Sequence, residues 1–499
     1  MNDVAYSSAS GAATGWTPIG HNLTNGVDGA IFQGHFDGNG HKVSNLTING
    51  GTRNCVGLFG AISNAEIKNL GIETCHIIGN AGVGALVGEV SGISTIKNCY
   101  VIDVDISGYS DVGGLTGNVA GEDLITIENC YVTGNVTGTN DMVGGLVGSL
   151  WKGTISNSHA ICNVSGGTNY IGGLVGIVDD GIIDKSYAGG NVQGTSGIGG
   201  LIGAGMYGYI SNCYATGNVT GNSHIGGLMG ISYDNITDCY ATGYITATGS
   251  SNYIGGLVGT LSLSTNSITY CYASGNISVI NGTSIGGLVG RNHGTIRNCV
   301  AANLSVGGSG NSNINKIVGY NNSGTLSHNY AYDLMSITPL YGNGGINMPM
   351  DTLKSFNFYN RGNNWYSNNP WEIDNVQNPD KIWGICTNQP TLPFFQWQGF
   401  DCGTKLLYAE NYEEDYTTEQ NDKFAFSVFP NPTSSNITIV SEKDFHTIEI
   451  VDILGRTVIR QSDIGQSEIA INVSHLSPGM YFVRIMTENS IEVQKFVKK

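Results

Sequence analysis

Residues 170–176 read YIGGLVG, and close variants of this phrase recur along most of the chain. A second phrase follows each copy, as in TIKNCYV at 95–101 and YISNCYATGNVTG at 209–221. Successive copies are 27 to 31 residues apart. The aligned leucines are Leu58, Leu86, Leu115, Leu146, Leu174, Leu201, Leu228, Leu257 and Leu288, with Ile317 in a tenth copy. A nearly fixed period of this length indicates a repeat architecture.

The segments between the glycines are typical of short strands. They contain four to six residues rich in Val, Ile, Thr, Tyr and Cys, interrupted by Gly, Asn and Ser. Helical repeats of this length would need amphipathic runs of about ten residues. Three strands of about five residues and three turns of about four fill one period. The pattern therefore predicts an all-β chain that forms a right-handed parallel β-solenoid of about ten coils, spaced about 4.8 Å apart.

Equivalent residues of successive coils should lie above one another, so that like side chains form columns. The predicted apolar column is Ile96, Ile127, Ile155, Ile183, Ile210, Ile236, Ile268 and Ile296. The Gly-Gly pair, as in Gly172 and Gly173, should turn a corner with positive φ and let neighbouring backbones pack tightly. A second turn should carry asparagines, because Asn tolerates the left-handed conformation and can hydrogen-bond to its copies. The predicted amide column is Asn69, Asn98, Asn129, Asn157, Asn212 and Asn298.

A column of tyrosines is a candidate binding face. Its members are Tyr100, Tyr131, Tyr187, Tyr214, Tyr240 and Tyr272, and Tyr330 has the same repeat position. Facing outward, these rings would form an aromatic strip for sugar rings or a partner; facing inward, they would belong to the core. Alternation counted from the isoleucine column favours the core, whereas the intervening asparagine turn can reset that alternation. Both orientations stay open at this point.

Composition and charge exclude several classes of partner. Only 12% of the residues are charged, and the net charge is −17, which disfavours nucleic acid and anionic membrane surfaces. No stretch approaches about 18 consecutive apolar residues, so we expect no membrane span. The opening residues MNDVAYSSASGAATGW show no signal peptide, and we expect that the natural N-terminus is truncated. We expect a monomer.

The repeated phrases resemble the GLUG repeat, which occurs in bacterial surface proteins and beside the protease domain of some immunoglobulin-A peptidases. GWTPIG at 15–20 and FQGHFDGNGHKVSNLTI at 32–48 are similar to the segments that precede GLUG arrays. KIWGICTNQPTLPFFQWQ at 381–398 is similar to the terminal cap of such solenoids. The resemblance implies a GLUG-repeat β-solenoid over residues 1–330 and a C-terminal cap over residues 331–402.

Residues 424–499 have a different pattern. Their short alternating apolar runs predict a small immunoglobulin-like β-sandwich. The order PNP, LGR, SPGMYFV and a basic end resembles the C-terminal sorting domain of the Bacteroidetes type IX secretion system. The residues that carry this resemblance are Pro430, Asn431, Pro432, Gly455, Arg456, Gly479 and Tyr481. It implies that the type IX machinery is a partner, that the protein is secreted or at the outer-membrane surface, and that cleavage could occur in an acidic linker at 403–423.

Few residues have the arrangement that a catalytic or metal site requires. The chain has no His-Glu-x-x-His motif, so a zinc peptidase is not expected. Asp37 and Asn39 resemble half of a calcium loop, although a tight turn explains them equally well. We therefore expect no cofactor, with calcium as the alternative. Asp residues that an enzyme could use precede the Gly-Gly phrase or cluster in one coil, and the same residues can cap turns. They are Asp111, Asp141, Asp179, Asp180 and Asp184.

Two groups of cysteines differ in their spacing. One group follows the coil period, with Ser158 and Ser186 at the same position in two other coils. Its members are Cys99, Cys130, Cys213, Cys239, Cys271 and Cys299. Parallel in-register Cβ atoms about 4.8 Å apart exceed the usual disulfide separation, so we expect reduced, buried thiols. Cys386 and Cys402 lie outside the repeat and are a candidate disulfide.

These observations favour a secreted or surface-displayed β-solenoid that is not an enzyme. It would act as an adhesin or as a glycan- or matrix-binding spacer, exported through its C-terminal sorting domain. The alternative is a polysaccharide lyase or glycoside hydrolase on the same scaffold. The sequence does not identify the glycan or host-matrix ligand, because packing dominates the choice of side chains in a solenoid.

Overall fold

The computed structural model describes residues 4–5, 15–20, 31–248, 251–310, 312–338, 344–375, 378, 380–387, 390–398, 426–429, 433–452, 457–474, 476, 479–486 and 491–498. The chain forms two compact units, Met1–Leu406 and Leu407–Lys499. The first contains stacked parallel strands and the second an antiparallel sheet. The predicted all-β architecture, with a parallel β-solenoid of about ten coils, is thereby confirmed.

Each coil contributes strands to two parallel sheets. The nine-stranded sheet contains the strands that lead into the Gly-Gly pair: Ala81–Val83, Ser110–Gly113, Val143–Gly144, Asn169–Gly172, Ser196–Gly199, Ser223–Gly226, Asn252–Gly255, Thr283–Gly286 and Ser312–Asn315. The larger sheet begins in each coil with a strand just after that pair: Phe59–Ser63, Val87–Ser91, Thr116–Glu128, Val147–Ser156, Val175–Asp179, Ile202–Ala215, Met229–Ala241, Val258–Leu261, Val289–Asn292 and Val318–Asn321. Both sheets therefore follow the repeat.

The larger sheet continues around the coil. Short separate strands at the isoleucine position are His35–Asp37, Glu66–Lys68, Thr95–Lys97, Ile182–Asp184, Ser267–Thr269, Thr295–Arg297 and Thr325–Ser327. Strands at or after the tyrosine position are Val4–Ala5, Lys42–Asn49, Gly71–Ile78, Tyr100–Gly108, Tyr131–Gly138, His159–Ser165, Tyr187–Ala188, Val192–Gln193, Val219–Gly221, Ile245–Ala247, Tyr272–Ala273, Ile277–Val279, Val300–Ala301, Ser305–Gly307, Tyr330–Tyr332, Ser336–Thr338 and Ile346–Met348.

The predicted isoleucine column is confirmed. Its eight members pair in register from coil to coil and are fully buried. Stacking like residues at the coil spacing gives the inner members of the column an identical neighbour above and below, so their side chains pack closely. One continuous apolar core therefore extends along the solenoid from Leu46 to Ile337.

The predicted asparagine turn is also confirmed. All six asparagines have positive φ, between 48° and 57°. The Asn129 side chain donates to the Asn98 carboxamide at 3.2 Å, and Asn98 donates to Asn69 at 3.0 Å. Asn69 donates to the Asp37 carboxylate at 3.0 Å. Asn69 and Asn98 therefore each use one group for the coil above and one for the coil below, and this ladder of amides ends on a carboxylate.

The prediction of positive φ at the Gly-Gly pair is wrong, whereas the predicted close packing of backbones is present. Neither Gly172 nor Gly173 has a positive φ. A Cβ on Gly173 would lie 2.1 Å from the carbonyl oxygen of Gly200 in the next coil, and the same contact recurs along the column. Close approach of backbones therefore excludes a side chain, and the left-handed residue of this corner is Tyr170, two positions earlier (φ 62°).

In the last copy of the phrase, the position of the second glycine can carry a side chain. There Lys316 replaces the second glycine, and it is buried although it carries a charge. Its ammonium group donates to the carbonyl oxygens of Tyr332 and Asp333, at 2.9 and 2.8 Å, and to the side chain of Asn347 at 2.9 Å. The ammonium group thus satisfies carbonyl groups at the end of the stack.

The repeated cysteines are free and buried, as predicted. The thiol of Cys99 donates to the carbonyl oxygen two residues earlier, at 3.3 Å. The backbone N–H of Cys130 donates to the Ser158 hydroxyl in the next coil at 3.1 Å, and that of Ser158 donates to Ser186 at 3.2 Å. The column thus satisfies backbone donors next to the asparagine turn, which explains why Ser and Cys interchange here.

The first unit ends in irregular structure with little regular sheet. It contains two short α-helices, Met350–Leu353 and Phe356–Tyr359, and three 3₁₀ turns, Gly362–Asn364, Tyr366–Asn368 and Gln396–Gln398. A small sheet is formed by Ile373–Asp374, Trp383–Gly384 and Phe394–Phe395. No helix in the described part of the chain is both long and apolar enough to cross a membrane.

The second unit contains five antiparallel strands. They are Phe426–Phe429, Asn436–Asp452, Thr457–Asn472, Gly479–Met486 and Ile491–Lys498. Alternate residues of the longest strand, including Ile437, Ile439, Ile448 and Ile450, are fully buried in one apolar cluster. The short alternating apolar runs in the sequence thus correspond to real strands.

Candidate functional site

The predicted tyrosine column faces away from the solenoid core. In each coil the residue after the tyrosine, as in Val101 and Val132, is fully buried in the interior. The left-handed asparagine before it, as in Asn98 (φ 52°), resets the alternation of side chains counted from the isoleucine column. The tyrosine ring is thereby turned to the outer surface of the sheet, which decides the orientation that the sequence leaves open.

The rings form one continuous stack, which we name the aromatic ladder. Its members are Tyr100, Tyr131, His159, Tyr187, Tyr214, Tyr240 and Tyr272. Neighbouring ring centroids are 4.5 to 5.3 Å apart, and neighbouring planes differ by 9° or less. This spacing is the coil repeat of a parallel sheet. Both faces of every ring between Tyr100 and Tyr272 therefore contact neighbouring rings, and the ring edges point away from the sheet.

His159 occupies a tyrosine position in the ladder. Its ring lies between Tyr131 and Tyr187, at centroid distances of 5.3 and 4.5 Å. Burial lowers the pKa of His159 to about 4, because the stack excludes water from the charged form. The imidazole is therefore neutral near pH 7 and acts as a flat aromatic member of the stack.

The described residues between 350 and 398, here called the covering segment, pack on the C-terminal half of the ladder. Trp397 contacts the rings of Tyr187 and Tyr214 at a tilt of 33° to 35°. Phe395 contacts Tyr214 and Tyr240, at centroid distances of 6.2 and 5.3 Å. Tyr240 and Tyr272 are buried as a result. The covering segment therefore already occupies this half of the candidate face.

Polar groups attach the covering segment at defined points. The indole N–H of Trp383 donates to the Asp238 carboxylate at 2.8 Å, and the Tyr272 hydroxyl donates to the carbonyl oxygen of Pro393 at 2.8 Å. Burial raises the pKa of Asp238 to about 6, although the hydrogen bond from Trp383 opposes that rise. These bonds hold the segment in one register along the coils.

In the N-terminal half of the ladder, Tyr100, Tyr131 and His159 are half-buried. The ring of Tyr100 lies over Gly71, where a Cβ would be 2.2 Å from the ring. Its outer face is thus closed by backbone, and the candidate face presents ring edges and hydroxyls. The binding role of the tyrosine column stays a prediction.

The candidate calcium residues lie in a tight turn. One oxygen of Asp37 accepts hydrogen bonds from the backbone N–H of Asn39 at 2.8 Å and from the side chain of Asn69 at 3.0 Å. These bonds lower the pKa of Asp37, with the side-chain bond as the larger cause. The described residues contain no group of three or more His, Cys, Asp or Glu side chains placed to hold a metal ion.

The carboxylates considered for an enzyme form local hydrogen bonds. Asp111 accepts from the Ser149 hydroxyl at 2.7 Å. Asp141 accepts from the backbone N–H of Asn169 at 2.9 Å. Asp184 accepts hydrogen bonds from the Ser211 hydroxyl and from the side-chain amide of Asn212, both at 2.7 Å. These hydrogen bonds stabilise turns and join neighbouring coils.

Several predicted site residues lie partly or wholly outside the described residues. Cys386 is disulfide-bonded, whereas its predicted partner Cys402 lies outside them, as does the linker at 403–423. The same holds for five sorting-motif residues: Pro430, Asn431, Pro432, Gly455 and Arg456. Gly479 begins the strand Gly479–Met486, and Tyr481 in that strand is buried.

The sequence analysis did not identify the most exposed aromatic side chains. Tyr207 is 65% exposed and Tyr209 is 60% exposed, and they do not belong to the tyrosine column. The half-buried Trp151 and Tyr233 lie on neighbouring coils of the same corner. The available signal was that aromatic residues interrupt positions that are small or polar in other coils.

Sequence models of two protein families match parts of the chain. Residues 108–137 match the GLUG motif, and residues 427–499 match the secretion system C-terminal sorting domain. The chain thus contains both motifs that its sequence resembles. The sorting domain directs export by the type IX secretion system, which places the protein outside the cell or at the outer-membrane surface.

Two curated proteins are similar to part of the chain. Halomucin from Haloquadratum walsbyi is 33% identical over 151 residues, which cover 25% of this chain and 2% of halomucin. A protein of Evansella cellulosilytica, provisionally described as a Gly-rich membrane protein, is 38% identical over 146 residues, which cover 23% of this chain and 16% of that protein. The chain therefore spans only a small fraction of these relatives.

One solved structure is also similar. It is the crystal structure of a Bacteroides ovatus protein provisionally described as an immunoglobulin A1 protease. The match has a TM-score of 0.33 and 19% sequence identity, and covers 49% of this chain and 68% of the other.

Proposed function

We propose that this protein is a surface-displayed binding protein, an adhesin or a glycan- or matrix-binding spacer. Its location supports the proposal, because the sorting domain at residues 427–499 directs the chain to the outside of the cell. Ten stacked coils at about 4.8 Å form a rod about 45–50 Å long. Such a rod can hold a binding surface away from its anchor.

The observation that carries the proposal is the exposure of large aromatic side chains that the core does not use. Tyr207 and Tyr209 are each at least 60% exposed, and both lie in the solenoid. Exposed aromatic groups are enriched at recognition surfaces, since they offer a large rigid contact area at low entropic cost. Packing of the coils alone does not account for them.

The alternative function is that of a polysaccharide lyase or glycoside hydrolase. Asp234 is the one observation that favours it, because its raised pKa, about 7, is a property of general acids in glycosidases. Asp234 is, however, fully buried, and its carboxylate holds the backbone N–H of Gly208 at 2.7 Å. A group that cannot contact a substrate cannot protonate it, so binding is the better-supported function.

The finer division of the chain belongs to the proposal. We propose a solenoid over residues 1–330, a cap over 331–402, a linker over 403–423 and a sorting domain over 424–499. We further propose that the type IX machinery contacts the last of these and that the protein acts as a monomer.

The test is binding of the full chain to a glycan array and to immobilised matrix proteins, with calcium and with a chelator. Circular dichroism should show an intact β fold in both buffers. Saturable binding to a glycan or matrix class supports the proposal. Binding to neither, by a folded chain, refutes the adhesin role. Loss of binding in the chelator alone would bring calcium back as a cofactor.

A further inference from the structure

One corner of the solenoid concentrates aromatic side chains on neighbouring coils. Trp151, Tyr207, Tyr209 and Tyr233 lie there, and we name them the aromatic corner. Trp151 and Tyr233 belong to one outward row, in which successive residues pair in register through Asp179 and Met206. Three coil steps separate the two ends of this row, a distance of about 14 Å. The corner therefore has the length of a short oligosaccharide.

Tyr207 and Tyr209 are 65% and 60% exposed, whereas Trp151 and Tyr233 beside them are half-buried. Over the described ranges of the chain, no other aromatic ring stacks on any of the four. Tyr209 pairs in register with Ile182, itself 44% exposed, so the adjoining surface is apolar as well. A ligand can thus lie flat on these rings, which is the geometry that the apolar face of a pyranose ring needs.

The turn that carries the two most exposed tyrosines has an unfavourable backbone. Tyr207 has a φ of 62°, which a bulky residue seldom adopts. The pairing with the next coil also shifts here: three residue steps from Met206 to Tyr209 oppose two steps from Tyr233 to Asn235. The two preceding coils also take three steps at this turn, from Trp151 to Thr154 and from Asp179 to Ile182, so the coil that carries Tyr233 is one residue shorter. Residues in strained backbone conformations cluster at binding sites.

A buried carboxyl group beneath the turn hydrogen-bonds to its backbone. The inward column at this position is apolar in the two preceding coils, at Leu150 and Val178, but changes to Gly205 and Ser232 here. A Cβ on Gly205 would lie 1.7 Å from a carboxylate oxygen of Asp234, so the glycine leaves the space that the carboxyl group occupies. The other oxygen of Asp234 accepts from the Gly208 N–H at 2.7 Å.

Charge narrows the class of ligand. Asp179 lies in the outward row between Trp151 and Met206, and Asp180 is exposed at the turn position that Tyr207 occupies in the next coil. Carboxylates accept hydrogen bonds from sugar hydroxyls and repel uronates and sulfates. The whole chain has a net charge of −17, which adds to that repulsion. A neutral polysaccharide therefore fits this surface better than an anionic one.

We propose that the aromatic corner is the glycan-binding site of this protein and that its ligand is a neutral polysaccharide. The rings of Tyr207, Tyr209, Trp151 and Tyr233 stack on sugar rings, and the carboxylates of Asp179 and Asp180 accept from hydroxyls. Asp234 is a positioning residue that holds the turn. This inference rests on the proposed binding function and names its site and ligand class.

The test is affinity electrophoresis of the full chain through gels that contain neutral polysaccharides (starch, xylan, galactomannan) or anionic ones (alginate, pectin, heparin). Changing Tyr207→Ala and Tyr209→Ala together should weaken binding to the neutral ligand at least about tenfold. Tyr209→Phe keeps the ring and should bind like the wild type. Tyr244→Ala is the matched control, since Tyr244 has the same 60% exposure elsewhere on the solenoid. Thermal unfolding would show that every variant is folded.

The outcomes separate this inference from the proposal on which it rests. Retention by a neutral polysaccharide that the double variant loses, with the control unchanged, supports the site. Retention that the double variant keeps, or retention by anionic polysaccharides only, overturns the site and leaves the binding function in place. If no polysaccharide retards the folded chain, the site is overturned, and binding to matrix proteins alone then decides the wider function.

Discussion

Replacement of Asp234 by Asn tests whether the aromatic corner rests on a buried carboxyl group that the fold keeps protonated. Asp234 has no exposed surface, and its second oxygen has no hydrogen-bond partner. Burial raises the pKa of Asp234 from 3.8 to about 7, and the nearby charge of Asp179 adds to the rise. The hydrogen bond from Gly208 lowers it by less. The folded chain therefore holds this proton where the unfolded chain has released it.

The sign and size of the effect on stability follow from this difference. Between pH 4 and 7 the unfolded chain loses the Asp234 proton and the folded chain keeps it, so raising the pH favours unfolding. At 1.36 kcal/mol for each pH unit, the rise from 3.8 to about 7 corresponds to about 4 kcal/mol. The stability is fully present below about pH 4 and is lost by about pH 7. Asp234→Asn keeps an acceptor for Gly208 and cannot ionise.

The assay is urea unfolding of the wild type and Asp234→Asn, followed by circular dichroism at pH values from 4 to 8.5. The difference in the free energy of unfolding should change in favour of the variant by up to about 4 kcal/mol across this range and level off above pH 7. Other titrating groups contribute equally to both proteins and cancel. Asp180→Asn, at the surface of the same corner, is the control. A difference that does not change with pH would refute the reasoning.

Three further substitutions test the packing. Gly173→Ala should destabilise the solenoid by about 1–3 kcal/mol, because its Cβ would lie 2.1 Å from a carbonyl oxygen. Gly189→Ala is the control: its Cβ would lie 3.6 Å from the nearest atom, so the unfolding free energy should change by less than about 0.5 kcal/mol. Equal losses in the two variants would contradict the close-contact explanation. Trp383→Phe should cost about 1–3 kcal/mol by removing the indole donor to Asp238, which then keeps only the donor of Thr237. Faster proteolysis of the covering segment would show this loss, and unchanged protection would argue against the contact. Lys316→Met should accelerate hydrogen exchange in the last strand of the solenoid, and an unaltered rate would show that its ammonium group does not secure that end.

The period of the repeat was enough to predict the columns of the solenoid. Stacking by translation places equal residues above one another, so Ile96 lies over Ile127, and Asn98 over Asn129, whatever the details of the turns. The interchange of Cys130 with Ser158 was visible in the sequence for the same reason. Its cause was not, because it depends on which backbone N–H the side chain of the next coil accepts from.

Features that depend on one dihedral angle or on non-repeating segments could not be predicted from the sequence. The outward direction of Tyr100 depends on the positive φ of Asn98, which resets the side-chain alternation. The burial of Tyr240 depends on packing of the distant Trp383 and Phe395, a long-range contact that no period encodes. The aromatic corner was missed because its four residues share no single repeat position. The signal that could have revealed it is the appearance of aromatic residues at positions that are small or polar in other coils.

The availability of ring faces separates the two aromatic surfaces of the solenoid. In the ladder, each face of Tyr131 or Tyr187 already contacts a neighbouring ring, and Trp397 of the covering segment contacts Tyr187 at a tilt of 33°. Such stacking stabilises successive coils, and a sugar could gain little from what is left. At the corner, Tyr207 and Tyr209 are 65% and 60% exposed, and within the described residues no aromatic ring stacks on either. Aromatic residues in the regular stack thus stabilise the coils, whereas these unstacked tyrosines are available to a ligand.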